Sequence, residues 1–262
     1  MSFTPEALSS FKRRFHTLSG HNLEHYKDAD QRLHAYLQRI DQRSLDELYG
    51  LLSAQPARIQ ELLDFMTINT SEFFRNPERF LELKQRILPD LLTPHKTLRI
   101  WSAGCAGGAE IYSLVILLAK LKRLHNCHLF ATDIDQRVLE QARIAEFPPE
   151  MLANVSNVDL NYFFEPCLEG RRRYRLQSQW RQKVRFESHD LLSTDYPQGF
   201  DLIVCRNVMI YFNRETKYQV YRKFNLALKD QGVLFVGGAE QLLDIQSLGY
   251  RPLSPYFLQK SC

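Results

Sequence analysis

A glycine-rich loop followed by an isolated carboxylate is the clearest chemical pattern in this sequence. The loop, residues 104–108 (GCAGG), lies between a short apolar run and a segment with helical spacing. Glycines at such a turn let the backbone approach a ligand closely. Asp133 ends the next apolar run, where a carboxylate can accept hydrogen bonds from both hydroxyls of a ribose. The pattern predicts a site for a nucleoside-containing cofactor.

Two cofactor classes fit these residues, a nicotinamide dinucleotide and S-adenosyl-L-methionine (SAM). Asp190 follows a third apolar run and is placed to accept a hydrogen bond from an adenine amino group. The glycines do not follow the GxGxxG spacing, and a dinucleotide needs its pyrophosphate at a helix N-terminus. SAM carries no phosphate and needs no such cradle. The loop alone is also what a tight turn requires, so both classes stay open on these residues.

The elements that must position these groups alternate between strands and helices from residue 97 onward. This alternation predicts a parallel sheet with helices on both faces. The predicted strands are 98–101, 129–132, 200–205 and 232–236, and the predicted helices are 108–124, 214–229 and one that begins at Asp135. Residues 1–91 have helical apolar spacing, and Asn76 and Pro77 have the residue types of an N-cap and a first helical position. We therefore expect an N-terminal helical domain, 1–91, and an α/β domain, 92–262.

A basic stretch interrupts the alternation. Residues 162–188 contain seven lysines and arginines against three glutamates, with aromatic residues between them. We expect a small β-rich insertion over about 150–188 with a basic face.

Composition narrows the function classes. A net charge of +4 is low for a dedicated nucleic-acid binder, and the apolar runs are too short for a membrane span. The five widely spaced cysteines do not suggest a disulfide framework, and no four-ligand metal spacing is present. Since no secretory segment is visible, we expect a cytoplasmic protein without a metal, bound to no nucleic acid, not inserted in a membrane, and monomeric.

Five strings together are specific to one family. They are TINTSEFFRN at 67–76, RIWSAGC at 99–105, ATDID at 131–135, FDLIVCRNVMIYF at 200–212 and GVLFVGGAEQ at 232–241. The chain resembles the CheR-type chemotaxis receptor methyltransferases over nearly its whole length. The resemblance implies a Rossmann-like class I SAM-dependent methyltransferase domain with an inserted small β-subdomain and an N-terminal all-helical domain. It implies methyl transfer from SAM to receptor glutamates, which gives glutamyl methyl esters and S-adenosyl-L-homocysteine (SAH).

Carried over position by position, the resemblance also assigns site residues. The residues that it places at the cofactor are Asn69, Ser71, Arg75, Gly104, Glu110, Asp133, Asp190, Leu191, Arg206 and Asn207. Ser71 stands where the family usually has threonine, and Asp190 where asparagine is common. We assign Tyr211 to the methyl-transfer site and Arg75 to orienting the substrate carboxylate. The chemistry requires no general base, because a glutamate nucleophile with a pKa near 4.3 is already ionised at pH 7.

One departure concerns the start of the helix after the glycine loop. The family usually reads TGEEPYS where this chain has GGAEIYS, so Ala109 replaces the first of two glutamates. Glu110 is the neighbouring carboxylate, and its position on the helix is expected to direct it elsewhere. The substitution gives a second hypothesis, a non-catalytic CheR-like adaptor with a weakened SAM site. A third is a nucleic-acid or small-molecule methyltransferase that uses the basic insertion, although an NPPY-type motif is absent.

The expected partners are methyl-accepting chemotaxis receptors. Residues 12–43 carry seven lysines and arginines against four acids, which suits the acidic cytoplasmic helices of a receptor. A further hypothesis is that the β-subdomain binds a C-terminal tether peptide of the receptor by strand addition.

Overall fold

The computed structural model describes residues 3–66, 71–92, 97–167, 172–193, 195–240 and 244–261. The chain divides into two compact units: residues 1–69 with 208–217, and residues 70–207 with 218–262. Among the described residues, no helix combines the length and the apolar character needed to cross a bilayer.

The helical unit confirms the helical prediction for the N-terminal region. Its helices are α1 (Pro5–Ser19), α2 (Ala29–Arg39), α3 (Leu45–Ala54) and α4 (Ala57–Met66). The Thr4 hydroxyl caps α1 by accepting from the Ala7 amide at 3.3 Å, and Gly20 ends it in the left-handed conformation. Phe11 and Phe15, four residues apart on α1, are fully buried, as an apolar helix face requires.

The sheet unit contains the remaining elements. Its helices are α5 (Pro77–Glu82), α6 (Leu88–Leu91), α7 (Ala109–Lys120), α8 (Gln136–Ile144), α9 (Asn157–Phe163), α10 (Ser178–Arg181) and most of α11 (Arg214–Ala227), with a π-helical turn at Leu83–Ile87. Its strands are β1 (Leu98–Ala103), β2 (Cys127–Asp133), β3 (Glu146–Phe147), β4 (Phe164–Pro166), β5 (Tyr174–Leu176), β6 (Val184–Ser188), β7 (Phe200–Cys205), β8 (Leu228–Val236), β9 (Tyr250–Ser254) and β10 (Phe257–Lys260). Single 3₁₀ turns lie at Leu23–His25, Leu124–Asn126, Pro149–Leu152, Met209–Tyr211, Gly238–Glu240 and Gln246–Leu248.

The main sheet has the strand order β6-β2-β1-β7-β8-β10-β9. The first five strands are parallel, and β10 is antiparallel to both of its neighbours. Helices cover both faces: the Trp101 and Phe224 rings, 5.5 Å apart, place α11 on one face, and the Tyr112 and Phe186 rings, 5.9 Å apart, place α7 on the other. The chain steps outward from β1 to β6 and then crosses to β7 on the other side of β1. Sheets of this type bind ligands at the carboxyl ends of the strands beside such a reversal.

The insertion is a separate three-stranded sheet of order β3-β5-β4 between α8 and β6. Its expected range, about 150–188, differs from the structure at both ends. The small sheet begins at Glu146, and Val184–Ser188 is the edge strand of the main sheet, paired in parallel with β2. Phe186 contacts Tyr112 of α7, so this segment belongs to the main core.

The division between the two units also differs from the expected boundary at residue 91. Residues 77–91 group with the sheet unit because their apolar side chains share its core. Phe80 and Leu83 are buried there, and the Phe80 ring lies 6.1 Å from that of Phe235 on β8.

Candidate cofactor site

The glycine loop turns sharply between β1 and α7. Gly104 and Gly108 have φ angles of 77° and 89°, in the left-handed region that favours glycine. A Cβ on Gly108 would also lie 3.0 Å from the Cβ of Ala142, so α7 and α8 approach closely there. The loop is held to the next strand, because the Gly104 and Cys105 amides donate to the Thr132 carbonyl at 2.8 and 2.9 Å. The predicted cofactor loop therefore lies at the carboxyl ends of β1 and β2.

Asp133 ends β2 beside this loop, as predicted. Its Oδ2 accepts from the Ala106 amide at 2.8 Å, and its Oδ1 accepts from the Asp135 amide at 3.1 Å. Only 9% of the residue is exposed, and burial raises the pKa of its carboxyl. A carboxylate offers about four lone-pair sites, so it can accept further hydrogen bonds beyond these amide contacts. A carboxylate held this way is suited to accept from a pair of neighbouring hydroxyls.

Glu110 and Arg206 form a buried pair at the reversal of the sheet. Glu110 Oε1 accepts from the Ser102 hydroxyl at 3.0 Å, and Glu110 Oε2 lies 3.7 Å from Arg206 Nη1. The two side chains are 14% and 2% exposed. Burial raises the pKa of Glu110, against the opposing effect of the Arg206 charge, and lowers the pKa of Arg206. The expectation that Glu110 is directed away from the other site residues is wrong.

Arg206 is fixed by the segment that precedes α5. Its Nη2 donates to the Arg75 carbonyl at 3.0 Å and to Asn76 Oδ1 at 2.8 Å. Its guanidinium lies 4.7 Å from the centre of the Phe235 ring. Its Nε is buried and has no hydrogen-bond partner among the described residues. Asn76 does precede α5 as predicted, but its side chain makes no capping bond and supports Arg206 instead.

Two residues that the sequence analysis did not assign complete this network. Ser102 holds Glu110 from β1, and Glu240, fully buried, accepts from the Gly237 amide at 2.6 Å. The Glu240 charge raises the pKa of Glu110 and opposes the lowering of the pKa of Arg206. Ser102 is a polar residue near the end of β1, and Glu240 lies four residues after β8 ends at Val236. Their polar character in these positions was the available indication in the sequence.

Arg75 and Asn207 lie around the same pair. The Arg75 carbonyl accepts from Arg206 Nη2 at 3.0 Å, and the Arg75 charge opposes the rise that burial causes in the pKa of Glu110. Asn207 directly follows Arg206 in the left-handed conformation, with φ of 61°. Ser71 is half-buried in the sheet unit.

The segment after β6 is tied to the end of β2. The His189 amide donates to the Asp133 carbonyl at 3.0 Å, so Asp190 and Leu191 follow directly beside the Asp133 strand end. Asp190 Oδ1 accepts from the Leu192 amide at 2.8 Å, and Leu191 is buried, with its carbonyl accepting from the Tyr196 hydroxyl at 2.6 Å.

Two assigned residues are not part of the described sheet unit. Asn69 lies outside the described residues. Tyr211 belongs to the helical unit, where its ring lies 5.4 Å from the Arg32 guanidinium and its carbonyl accepts from the Lys27 amide at 2.6 Å.

The donor set fits SAM better than a dinucleotide. Asp133 offers acceptors for a ribose diol, and the Glu110–Arg206 pair is complementary to the ammonium and carboxylate of an amino acid. The buried Arg206 Nε without a partner is a donor that such a carboxylate would satisfy. A pyrophosphate at the N-terminus of α7 would instead meet the Glu110 carboxylate. The strand order and this site define a Rossmann-like class I SAM-dependent methyltransferase.

Comparison with known proteins gives the family. The model of the CheR methyltransferase SAM-binding domain matches residues 69–251. A chemotaxis protein methyltransferase of Listeria monocytogenes is 35% identical over 245 residues, 92% of each chain. Chemotaxis protein methyltransferase 1 of Pseudomonas aeruginosa is 32% identical over 80% of each chain. The chain belongs to the CheR methyltransferase family, and its cofactor is SAM.

Proposed function

We propose that this protein methylates glutamate side chains of methyl-accepting chemotaxis receptors, with SAM as donor and SAH as product. The observation that carries the proposal is the match to a chemotaxis protein methyltransferase over 92% of both chains. The chemistry agrees with it. When bound, SAM supplies a methyl group on a cationic sulfur, and an ionised glutamate needs no base to attack it. The site then contributes alignment and exclusion of water.

In this proposal the site residues divide the cofactor between them. Asp133 accepts from the ribose hydroxyls, Glu110 accepts from the ammonium group, and Arg206 donates to the cofactor carboxylate. Asp190 and Leu191 lie at the adenine, beside the Asp133 strand end. The cofactor residues that complete the proposed set are Asn69, Ser71, Arg75, Gly104 and Asn207.

Two residues are proposed to act on the substrate. Arg75, whose carbonyl accepts from Arg206 Nη2, orients the incoming glutamate by a charge-assisted hydrogen bond. Tyr211 lines the methyl-transfer site, an assignment that rests on its place in the CRNVMIYF string.

The adaptor hypothesis depended on Ala109. Ala109 is fully buried in the first turn of α7, in the core of the sheet unit. The carboxylate that lies beside Arg206 is that of Glu110. The alanine at position 109 therefore provides no observation in favour of a weakened SAM site.

The deciding experiment is transfer of radiolabelled methyl from SAM to receptor-containing membranes. We expect label on the receptor that alkali releases as methanol, as methyl esters require. Arg75→Lys is the matched variant: it keeps the charge but loses the planar two-pronged donor, so turnover is expected to fall more than SAH affinity. SAH binding without any receptor label, or label that resists alkali, would contradict the proposal.

The tether and assembly hypotheses need separate tests. In the small sheet Arg175 is paired with Glu146, and Arg173 donates to the Glu146 carbonyl at 2.6 Å, so part of the basic face is neutralised. Receptor tail peptides that fail to retain the protein in a pull-down would remove the tether hypothesis. Sedimentation at rising concentration tests the proposed monomer.

A further inference from the structure

In the described part of the sheet unit, no helix of the β6–β7 connection covers the outer strands of the main sheet on one face. α7 and α8 lie together on the opposite face, where the Tyr112 hydroxyl donates to the Ala142 carbonyl at 2.7 Å. The connection from β6 to β7 contains no helix in its described parts, 189–193 and 195–199. Parallel sheets of this kind normally have both faces covered by crossover helices. Among the described residues of the sheet unit, no crossover helix therefore covers the second face of the outer strands β2 and β6.

The uncovered region is a cavity of about 640 Å³. Its floor includes the Phe130 and Phe200 rings, stacked 6.2 Å apart. Register places Phe130 opposite Arg185, and the guanidinium of Arg99 lies 5.0 Å from the Phe200 ring. Half-buried Phe130 gives the cavity an apolar floor that solvent still reaches.

The rim of this cavity is mainly cationic. Arg99, Lys183 and Arg185 line it and are exposed, against the single carboxylate of Glu187, which pairs with Arg185. Lys183 has no acidic partner among the described residues. The surface is therefore complementary to a partner that brings carboxylates around an apolar contact.

The position of the cavity separates it from the cofactor site. It is lined by the second residue of β1 and the first four residues of β2, at the amino ends of these strands. Small ligands of doubly wound sheets bind at the opposite, carboxyl ends. The cavity instead lies on the face that a crossover helix normally covers in a parallel sheet.

We propose that this cavity, lined by Arg99, Phe130, Lys183, Arg185, Glu187 and Phe200, docks an acidic amphipathic helix of a partner protein. The helix takes the place of the missing crossover helix. An apolar side chain rests on Phe130, and flanking carboxylates face Lys183 and Arg185. This docking surface goes beyond the proposed methyl transfer, since it shares no residue with the cofactor site.

The test uses a fluorescein-labelled helical peptide of 16 residues as probe, with leucine and phenylalanine on one face and glutamates on the flanks. A matched peptide has glutamine for every glutamate. The protein variant is Lys183→Glu with Arg185→Glu, and the control is Lys84→Glu, an exposed charge in the π-helical turn. Fluorescence anisotropy gives the dissociation constants, and SAH titration checks that each variant keeps its cofactor site.

We expect saturable binding of the acidic peptide that weakens at least tenfold from 50 to 300 mM salt. The glutamine peptide and the double variant should each bind at least tenfold more weakly, and Lys84→Glu should bind normally. Hydrogen exchange should slow at 127–130 and 183–187 when the peptide binds. The proposal is overturned if the double variant binds equally, if protection lies elsewhere, or if the acidic peptide does not bind. Binding of an oligonucleotide or of anionic vesicles in its place would also overturn it.

Discussion

Replacing Glu110 by glutamine tests how the site holds the amino-acid part of SAM. Glutamine keeps the size of the side chain and can still accept from the Ser102 hydroxyl, now 3.0 Å from Glu110 Oε1. It loses the negative charge that faces Arg206 at 3.7 Å. The proposed contact that disappears is a hydrogen bond from the cofactor ammonium to a carboxylate that is only 14% exposed.

The expected loss follows from the burial of the pair. A hydrogen bond to a charged group contributes about 1.5–3 kcal/mol, and about 1.4 kcal/mol corresponds to a tenfold change in affinity. We expect Glu110→Gln to weaken SAH binding about 10- to 100-fold. Methylthioadenosine shares the adenosine but lacks the ammonium and carboxylate groups, so its affinity should change less than about threefold.

The pH dependence gives a second measure of the same contact. Burial raises the pKa of Glu110, so its carboxylate takes up a proton at a higher pH than an ordinary glutamate, above about 4.3. SAH affinity should fall as the pH is lowered through this raised pKa. The stability of the ligand-free protein changes with pH in the opposite direction. Because the pKa of Glu110 is raised in the folded protein, its contribution to stability is fully present at pH values below the pKa in the unfolded chain. This contribution is lost as the pH rises through the pKa in the folded protein.

Calorimetric titration of SAH and methylthioadenosine between pH 5 and 8 measures both effects. In Glu110→Gln the acid-side loss of SAH affinity should shrink, while circular dichroism shows a folded protein. The assignment of Glu110 to the ammonium is refuted if both ligands weaken equally, or if SAH binds the variant as tightly as the original protein.

Three further substitutions extend this test. Asp133→Ala should weaken the binding of SAH and of methylthioadenosine alike, by tenfold or more in calorimetry. Both ligands carry the ribose, and the Ala106 amide loses its acceptor in this variant. Normal methylthioadenosine binding would argue against the ribose assignment. Ala109→Glu should lower the free energy of unfolding, measured in urea, by about 1–3 kcal/mol, because Ala109 is fully buried. We expect no gain in SAH affinity. Tighter SAH binding at unchanged stability would instead support the hypothesis of a weakened SAM site. Asn76→Ala should weaken SAH about three- to tenfold through Arg206 and leave methylthioadenosine unaffected, and equal weakening of both would point to a general disturbance.

The central strands β1 and β7 of the parallel sheet were predictable because nearly all of their residues are buried and most are apolar. Every residue of β7 is buried, and the sequence prediction of 200–205 matches its bounds. Val184–Ser188 was harder, because β6 is an edge strand with exposed Arg185 and Ser188, and its polar residues resemble those of the basic insertion before it. Its place in the main sheet depends on pairing with β2, which is distant in sequence.

In the candidate site, too, some positions follow from neighbouring residues in the sequence and others depend on residues that are distant in the sequence. The glycine loop and Asp133 follow from strand ends and turn chemistry, which are local properties of the chain. The direction of Glu110 does not, because it is fixed by Ser102 on β1 and by Arg206 after β7. A position on a helix alone led to the wrong expectation for this side chain.

Asn76 illustrates why a correct local prediction can miss a functional contact. An asparagine before a proline is a common helix start, and α5 does begin at Pro77. Asn76 has the left-handed backbone conformation, with φ of 57°, and its side chain makes no capping hydrogen bond. Its Oδ1 accepts from Arg206 instead. Arg206 is 2% exposed, and a buried guanidinium needs several acceptors. The Asn76 Oδ1 atom can therefore either cap α5 or accept from Arg206, which lies at the proposed site for the cofactor carboxylate. Because the Arg206 charge is buried, the contact with Arg206 is the one that forms.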